Sequence, residues 1–399
     1  MTGRERILAA LSFAETDRVP IDFGGMRSTG IHAIAYNRLK LHLGLTGGDT
    51  RLYDIMQQLA DPEPEVLDLL GGDVVQLHRL RPAFGIAIDQ WKPGVLPDGS
   101  PCMEPAGFSP ERQPDGSEVL RSDGRVIARR PASGLYFEMA HFPLADATSK
   151  SDVDGHAWPI IDDDEIAYLR ENARRLREST DRAVLAEFGG NITEEGQFTW
   201  GWARFMEELG LRSELVRYYL DRLVDNHLAN LERYLPAVRD YVDIIQVGDD
   251  LGTQEGPQLS PDLYRSLIKP CHKRVYTYIR EHSNAPVFLH SCGSIYRLIP
   301  DLIDAGVEIL NPVQTSAAEM DPMRLKREFG RDLVFWGGGC ETQTTLPHGT
   351  IEEIVAEVRG RLSIFMPGGG YVFNQVHNIQ SDVAPEKIAA MYRAAREWR

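Results

Sequence analysis

The sequence predicts an α/β protein built as a (β/α)8 TIM barrel, with N-terminal helices and a β-hairpin insertion. From residue 150 onward, short apolar runs alternate with amphipathic segments of helical length, which is the pattern of parallel strands joined by helical crossovers. Over the whole chain the apolar runs number eight, enough to close a barrel. Polar residues follow most of these runs, as expected where barrel strands end in the loops that carry chemistry.

The N-terminal region supplies two of these strands. A helix is predicted over residues 3–13 and a first strand around Val19, followed by the loop of residues 24–30. This loop reads Gly-Gly-Met-Arg-Ser-Thr-Gly, and its glycines allow the backbone to approach a ligand closely. A helix over residues 31–43, a further helix and a second strand around Val74 complete the region.

Residues 81–148 interrupt the alternation of strands and helices. They are rich in proline and glycine and carry three hairpin signals, at Pro97-Asp98-Gly99, Pro114-Asp115-Gly116 and Ser122-Asp123-Gly124. These signals predict a β-rich insertion that is not part of the barrel wall. A lid or partner surface and a solvated decoration are equally good interpretations of it.

The remaining strands follow at regular intervals. They are predicted around Val184, Ile244, Phe288, Ile309, Phe335 and Val372. Helices are predicted between them, among others over residues 163–179, 194–209, 211–235, 321–329, 350–364 and 385–397. A doubly wound open sheet is the alternative architecture, but no strand is followed by the GxGxxG turn that would favour it.

The fifth predicted strand ends in a His-x-Cys pair. Side chains two residues apart on an extended strand point to the same side, so His290 and Cys292 are placed to grip one metal ion, and thiolate with imidazole favours zinc. Cys340 ends another strand and would add a third ligand, leaving one position for a water or an acidic side chain, as in catalytic zinc sites. The alternative is a hydrogen-bonded core histidine and two small buried cysteines.

Other polar residues near strand ends are candidates for catalysis. Glu187 would serve as a base, a substrate anchor or a fourth metal ligand, or else form a salt bridge at the rim. Asp249 and Asp250 are adjacent, so on a strand they face opposite ways and at most one enters the barrel mouth. Asp249 is therefore predicted either as a catalytic base or as a helix cap. His377, after the last strand, is predicted to act on substrate or to make a structural hydrogen bond.

A second group of polar residues in the predicted strand-end loops is assigned to substrate binding. The residues are Arg27, Asn311, Gln314 and Asn374. Together with the candidates for catalysis and metal binding, they are expected at one end of the barrel. A structure that separated His290 from Cys340 would contradict this arrangement.

The composition describes a globular protein with an acidic surface. Of 399 residues, 42% are hydrophobic and 26% are charged, and the formal net charge is −16. So acidic a surface repels phosphate backbones and anionic membranes, which excludes nucleic acid and membranes as expected partners. Four cysteines are too few for a disulfide scaffold, and no signal-peptide pattern or membrane-spanning apolar run is present, so a cytoplasmic location is expected.

Seven strings between about residues 245 and 380 occur in a specific order. They are GDDLGTQEG, SPDLYRSLIKP, FLHSCGSI, DAGVEILNPVQ, FWGGGCETQ, LPHGT and PGGGYVFNQVHNIQ. Together they resemble the uroporphyrinogen decarboxylase superfamily. The resemblance implies a (β/α)8 barrel and one of two activities. Some members decarboxylate a porphyrinogen without metal or cofactor, whereas others are zinc-dependent methyltransferases that work with a corrinoid protein, aryl-ether O-demethylases among them.

The resemblance favours the methyltransferases. The decarboxylases carry an Arg-Gln-Ala-Gly-Arg loop that binds substrate carboxylates, whereas the corresponding loop here keeps only Arg27. His290 and Cys292 match the first two zinc ligands of the methyltransferases. Their third ligand is a cysteine in a Pro-Gly-Cys-Gly turn, where this chain has Pro367-Gly368-Gly369-Gly370, so Cys340 would have to replace it.

Three functions follow from these observations. The first is a zinc enzyme that moves a methyl group between a small methylated substrate, such as a methyl ether or a methanol-like compound, and a corrinoid protein or a thiol. The alternative is a metal-independent decarboxylase, in which Arg27 anchors a carboxylate and Asp249 or Asp250 stabilises a developing cation. The third is a binding protein on a degenerate barrel. The expected partners are a small-molecule substrate and a corrinoid protein, and a homodimer is left open.

Overall fold

The computed structural model describes residues 1–398, and the chain falls into two compact units. Unit 1 comprises residues 1–141, 181–183 and the described residues from 337 onward, and unit 2 comprises residues 142–180 and 184–336. Within the described residues, no helix combines the length and the apolar character that crossing a membrane requires.

Strands and helices alternate through most of the described chain. The strands are β1 (Leu52–Asp54), β2 (Leu59–Ala60), β3 (Val74–Leu77), β4 (Trp91–Val95), β5 (Pro101–Pro105), β6 (Glu111–Arg112), β7 (Glu118–Ser122), β8 (Arg125–Arg130), β9 (Glu138–Met139), β10 (Ala183–Gly189), β11 (Ile244–Gly248), β12 (Val287–His290), β13 (Ile309–Asn311), β14 (Val334–Trp336) and β15 (Tyr371–Val372). The α-helices are α1 (Gly3–Leu11), α2 (Ala33–His42), α3 (Pro64–Leu70), α4 (Lys150–Asp154), α5 (Asp163–Ser179), α6 (Thr193–Trp200), α7 (Trp202–Leu211), α8 (Glu214–Val238), α9 (Pro261–Leu263), α10 (Lys269–His282), α11 (Ile299–Ala305), α12 (Pro322–Phe329), α13 (Thr345–His348), α14 (Ile351–Phe365) and α15 (Pro385–Arg396).

The sheet of unit 2 consists of parallel strands. β11 lies between β10 and β12, and β13 lies between β12 and β14. Strands β11, β12 and β14 are buried along their whole length, which is why they read as unbroken apolar runs in the sequence. The register sets His290 beside Gly248 on one side and beside Asn311 on the other. Residues at the carboxyl ends of these strands are therefore neighbours.

In unit 1, the segment around Ile21 lies between β15 and β3. Ile21 forms a parallel bridge with Phe373, which follows β15, and its carbonyl accepts a hydrogen bond from the amide of Asp73, which precedes β3. The largest sheet has the strand order β15-β14-β13-β12-β11-β10-β3. The Ile21 segment occupies the eighth position, between the two ends of this order. The predicted (β/α)8 barrel is therefore confirmed.

The first predicted strand is reduced to this bridge. Pro20 has no amide hydrogen and cannot donate to a neighbouring strand. Its carbonyl accepts a hydrogen bond from the amide of Phe373 at 2.8 Å, and the amide of Asp22 donates to the carbonyl of Phe373 at 2.9 Å. The segment thus keeps its place in the barrel with fewer ladder hydrogen bonds than a full strand would have.

The helices of unit 2 lie at or close to their predicted ranges, and one predicted helix is divided into two. α5 matches the predicted range, and it begins where the side chain of Asp162 accepts a hydrogen bond from the amide of Glu165. The single helix predicted over residues 194–209 is divided at Gly201, whose φ of 81° ends α6 and allows α7 to start in a new direction.

The strands between residues 91 and 139 are antiparallel and belong to unit 1. β4 pairs with β5, and β6 to β9 form a separate sheet in sequence order. Gly99, Gly116 and Gly124 end the three hairpin signals, and their φ angles of 84°, 82° and 76° are those of the predicted turns. Near the end of this region, the hydroxyl of Tyr136 accepts a hydrogen bond from Nε2 of Gln380 at 2.7 Å.

Candidate metal centre

The imidazole of His290 and the thiol of Cys292 face each other where β12 ends. Their Nε2 and Sγ atoms are 3.3 Å apart. His290 is buried and Cys292 is half-buried, and both offer ligand atoms of the kinds that hold metal ions. Ser291 lies between them and points away, because its Oγ accepts a hydrogen bond from the amide of Leu251 at 3.1 Å. His290 and Cys292 therefore lie on the same side of the chain, as predicted, and Ser291 lies on the other side.

Asn311 fixes the orientation and the tautomer of His290. Its Nδ2 atom donates to the carbonyl of Trp336 at 3.0 Å, so its Oδ1 atom faces Nδ1 of His290, 2.7 Å away. An amide oxygen only accepts hydrogen bonds, so Nδ1 carries the proton and Nε2 presents a lone pair. This is the tautomer that a metal ligand needs. Both polar atoms of Asn311 are thus used to orient the imidazole, and its predicted contact with substrate stays a prediction.

Gln314 fixes the turn that follows Cys292. Its Oε1 atom accepts a hydrogen bond from the amide of Gly293 at 2.8 Å. Gly293 has a φ of 87°, and a Cβ atom there would lie 2.5 Å from the carbonyl carbon of Gly252. Only glycine fits so close to another backbone segment. Gln314 therefore positions the Cys292 loop through Oε1, and the substrate contact predicted for it stays a prediction.

Asp250 brings a carboxylate to the His–Cys pair. Its Oδ1 atom accepts a hydrogen bond from the amide of Cys292 at 2.7 Å and lies 3.7 Å from Nε2 of His290. Glu194 stands behind it, since Oε2 of Glu194 accepts hydrogen bonds from the amide of Asp250 at 3.0 Å and from Nδ2 of Asn191 at 2.6 Å. Two acidic side chains are therefore grouped with the candidate ligands.

Burial and repulsion between carboxylates control protonation in this group. Burial, with smaller contributions from Asp250 and Asp249, raises the pKa of Glu194 to about 8. Burial also raises the pKa of the Cys292 thiol well above its ordinary value, and the negative charges of Asp250 and Glu194 add to this shift. Without a cation, both groups hold their protons at neutral pH. A cation bound to the sulfur of Cys292 would favour the loss of the thiol proton.

Asp249 points the other way from Asp250, as expected for adjacent residues on a strand. Its carboxylate is fully buried and accepts hydrogen bonds from the amides of Thr193 and Glu194, at 2.8 and 2.9 Å, where α6 begins. Nε2 of His272 lies 2.9 Å from its Oδ2 atom, and the Tyr264 hydroxyl is 3.1 Å from Nδ1 of His272. Asp249 thus caps α6, and its surroundings give no support to the catalytic role predicted for it.

Glu187 lies within β10, beside Gln246 of β11. Its side chain is half-buried, and its carbonyl accepts a hydrogen bond from the hydroxyl of Tyr234 at 3.0 Å. This contact ties β10 to the outer helix α8. The roles predicted for the Glu187 carboxylate remain predictions.

Sequence reasoning missed Glu194 and His272. The segment from Asn191 to Glu194 directly follows a strand and starts a helix, so its polar residues could have been assigned to the barrel mouth on that signal. His272 carries no local signal, because its contact with Asp249 joins positions 23 residues apart in the sequence.

In unit 1, Arg27 of the loop 24–30 is engaged by the protein itself. Its Nε atom lies 2.6 Å from Oδ2 of Asp54, which is fully buried, and its Nη2 atom donates to the carbonyl of Pro82 at 2.7 Å. The charge of Arg27 is therefore balanced by Asp54. This pairing reduces the attraction that Arg27 could offer to a substrate carboxylate.

The loops that follow β14 and β15 hold the other predicted residues of unit 1. The Cys340 thiol is fully buried and lies 3.7 Å from Oε2 of Glu357, so it faces the outer helix α14. Burial, and then the charge of Glu357, raise the pKa of this thiol far above its ordinary value. These contacts do not favour Cys340 as a zinc ligand. His377 is half-buried in the loop after β15, and Asn374 of the same loop is fully buried.

The residues from 120 to 398 match the family model for uroporphyrinogen decarboxylase (URO-D). This match covers more than half of the chain. The chain belongs to the uroporphyrinogen decarboxylase family. The resemblance carried by the seven sequence strings is therefore confirmed, and this URO-D family member belongs to a superfamily of enzymes.

Known proteins agree with this assignment. The uroporphyrinogen decarboxylase of Aeromonas salmonicida is 26% identical over 297 residues, which cover 72% of this chain and 79% of the relative. That of Salmonella arizonae is 27% identical over 307 residues, which cover 72% of this chain and 81% of the relative. Among solved structures, a methyltransferase from Methanosarcina mazei aligns over 100% of this chain and 99% of its own, with a TM-score of 0.63 and 17% identity. This likeness shows that the two proteins share a fold.

Proposed function

We propose that this URO-D family member is a zinc-dependent methyltransferase. It would move a methyl group between a small methylated substrate, such as a methyl ether or a methanol-like compound, and a corrinoid protein or a thiol. One observation carries the proposal, namely the pairing of His290 and Cys292. The imidazole has the tautomer that ligates through Nε2, and this atom lies 3.3 Å from the thiol. A metal-free decarboxylase would need neither feature.

The donor set of this group fits zinc. Imidazole nitrogen and thiolate sulfur are the ligands that zinc takes in catalytic sites, where a further position stays open for water or substrate. Asn311 and Gln314 bond to the ligand residues and their loop, as outer-shell partners of a metal site do. Asp250 is our candidate for the acidic fourth ligand. Bound zinc would polarise an ether or hydroxyl oxygen, or hold a thiol as thiolate.

The third protein ligand is open between Cys340, as the sequence predicts, and His377. His377 follows the last barrel strand, and its imidazole is half-buried. Catalytic residues of (β/α)8 barrels lie at the carboxyl ends of the strands. The Cys340 thiol lies 3.7 Å from Oε2 of Glu357, so it points toward the outer helix α14. Two histidines and one cysteine form a ligand set that zinc accepts.

Glu194 would hold the proton that cleavage of a methyl ether requires. Breaking a bond between carbon and oxygen leaves an oxygen that must take up a proton. The Oε2 atom of Glu194 already accepts hydrogen bonds from Asp250 and Asn191, so the proton lies on Oε1. Burial is the largest cause that raises the pKa of Glu194, to about 8 in the metal-free chain, and burial favours the protonated carboxyl group.

A metal-independent decarboxylase is the second candidate function. The relatives named uroporphyrinogen decarboxylase favour it, at 26% and 27% identity. The pairing of Arg27 with Asp54 argues against it, because a carboxylated substrate would have to compete with Asp54 for the one arginine of the loop.

Elemental analysis of the purified protein separates the two candidates. We expect about one zinc per chain, and less at lower pH, because protons compete with the metal for thiolate and imidazole. Cys292→Ala should lose most of the metal. The matched control is Cys271→Ala. It removes a buried thiol that donates a hydrogen bond to the carbonyl of Leu267, and it should keep the full zinc content. His377→Ala and Cys340→Ala identify the third ligand by which of them loses zinc.

The activity is tested with the metal-loaded protein, reduced cobalamin as the methyl acceptor, and methanol or 2-methoxyphenol as donors. Formation of methylcobalamin that disappears in Cys292→Ala supports the proposal. Protein that is metal-free after purification without chelator, and that decarboxylates a porphyrinogen in the presence of EDTA, would make the second candidate correct.

A further inference from the structure

Asn374 is a buried amide without internal partners. It is fully buried, and neither its Nδ2 nor its Oδ1 atom has a hydrogen-bond partner within residues 1–398. Burying an amide without hydrogen bonds costs folding free energy, and nearly all buried polar groups in native proteins are paired. A group from outside the chain is the natural partner for such a residue when it lies in a binding site.

Asn374 faces the inner side of the strand that it extends. Phe373 packs edge-on against the ring of Tyr392 on α15, with centroids 5.8 Å apart, and Gln375 accepts a hydrogen bond from the Tyr392 hydroxyl at 2.6 Å. Both neighbours therefore face the outer helix, and the alternation of an extended chain turns Asn374 to the opposite side. Asn374 also follows β15, and the carboxyl ends of the strands are where a (β/α)8 barrel binds its substrates.

Glu341 adds a second unpartnered group from the neighbouring loop. A hydrogen bond of 2.9 Å from the amide of Gly339 to the carbonyl of Asn374 holds the two loops side by side. Glu341 is 5% exposed, and its Oε1 atom accepts a hydrogen bond from the amide of Gln343 at 3.1 Å. Its Oε2 atom has no partner in the described part of the chain.

Asn378, in the same loop as Asn374, has the hydrogen bonds expected of an amide with a structural role. Asn378 is also buried, but its Oδ1 atom accepts a hydrogen bond from the amide of Gly30 at 2.9 Å. Its Nδ2 atom donates to Oε1 of Gln57 at 2.6 Å. The side chain of Asn378 therefore connects loops, whereas the side chain of Asn374, four positions earlier, makes no such hydrogen bond within residues 1–398.

We propose that Asn374 and Glu341 form a subsite for an uncharged hydroxyl or carboxamide group of the substrate. An amide side chain both donates and accepts hydrogen bonds, and a carboxylate only accepts. A primary amide can donate its two hydrogens to Oδ1 of Asn374 and Oε2 of Glu341 and accept from Nδ2 of Asn374. A hydroxyl can donate to one of these oxygens and accept from Nδ2 of Asn374. A substrate carboxylate has no hydrogen to donate and is repelled by Glu341, and a hydrocarbon leaves the polar atoms unpaired. This inference rests on the proposed function, because it describes a part of the methylated substrate away from the methyl group.

The melting temperature of the ligand-free protein separates a subsite from a structural amide. Asn374→Leu keeps the branching and the number of heavy atoms of the side chain and removes the unpaired polar atoms, so the melting temperature is expected to stay unchanged or to rise. The matched control Asn378→Leu removes two satisfied hydrogen bonds and should melt at a clearly lower temperature. If Asn374→Leu were destabilised as much as the control, the amide would be held by the fold or by a buried water, and the subsite would be refuted.

Binding is measured by calorimetry with four probes, namely 2-methoxyphenol, 2-methoxybenzamide, 2-methoxybenzoate and methoxybenzene. The wild-type protein should bind the phenol and the benzamide at least about tenfold more tightly than the other two, which is the effect of one net hydrogen bond. Asn374→Leu should lose this preference. Equal binding of the four probes, no binding of the phenol and the benzamide, or an unchanged preference in Asn374→Leu would overturn the proposal.

Zinc content measured on the same samples keeps the two proposals apart. A metal-free protein that still prefers the phenol and the benzamide would refute the zinc enzyme and leave the subsite standing. A zinc-loaded protein that forms methylcobalamin but shows no preference among the probes would refute the subsite alone.

Discussion

His290 owes its proposed role to a residue that lies 21 positions away in the sequence. Asn311 uses both of its polar atoms to present Nε2 of the imidazole as a lone pair. Losing such an outer-shell partner typically costs about 10- to 100-fold in metal affinity. We therefore expect Asn311→Ala to bind zinc about 10- to 100-fold more weakly in competition with a chelator.

A matched variant tests whether this effect is specific. Asn226 of α8 is another buried asparagine of unit 2, and its Nδ2 atom donates to the carbonyl of Pro159 at 3.0 Å. Asn226→Ala should leave the zinc affinity unchanged. If Asn311→Ala held zinc as tightly as the wild type, the amide would have no part in orienting His290.

The site residues that could be identified from the sequence are those with a local signal. His290 and Cys292 were recognisable because residues two apart on a strand share a side. Asn311 and Gln314 were recognised as site residues, but their orienting contacts depend on the pairing of β12 with β13 and on the fold of the Cys292 loop. The register between β12 and β13 cannot be derived from the sequence. A residue that orients a ligand could therefore not be distinguished from one that contacts substrate.

At the scale of elements, the loop after β14 packs tightly against the loop after β15. A Cβ atom on Gly339 would lie 2.3 Å from the ring of Phe373 and 2.8 Å from the carbonyl oxygen of Asn374. Gly339→Ala should lower the free energy of unfolding by about 1–3 kcal/mol, as overpacking commonly does. Urea unfolding measures this change.

Gly360 is the control for this substitution. It lies exposed in α14, and a Cβ atom there would have nothing within 4 Å. Gly360→Ala should raise the free energy of unfolding by about 0.5–1 kcal/mol, because alanine restricts the unfolded chain more than glycine does. Equal effects of the two substitutions would show that the loops after β14 and β15 are not closely packed.

Element types were easier to predict than element boundaries. Eight apolar runs were enough to predict the barrel, since buried parallel strands need apolar residues on both faces. The division of one helix at Gly201 was not foreseen, because helical periodicity continues on both sides of that residue. The first strand is reduced to a bridge because Pro20 has no amide hydrogen to donate. This proline in the sequence could have predicted the reduction.

At the scale of the whole molecule, the amino ends of the barrel strands are expected to serve stability and the carboxyl ends to serve chemistry. Asp73 lies at an amino end, directly before β3. Its Oδ1 atom accepts hydrogen bonds from Arg6 at 2.6 Å and Arg18 at 2.8 Å, and its Oδ2 atom accepts one from the amide of Ile21 at 3.0 Å. The Asp73 carboxylate therefore connects α1, the Ile21 segment and β3 within unit 1.

Asp73→Ala tests this division of roles. The side chains of Asp73 and Arg6 are only 2% and 6% exposed, and removing one member of a buried ion pair costs about 3–5 kcal/mol. The free energy of unfolding should fall by about this amount, while the zinc content per folded chain stays that of the wild type. Cys292→Ala should behave in the opposite way, losing zinc but unfolding like the wild type when both are measured with a chelator. An Asp73→Ala protein that stayed folded without zinc would show that the two ends of the barrel are not separate in function.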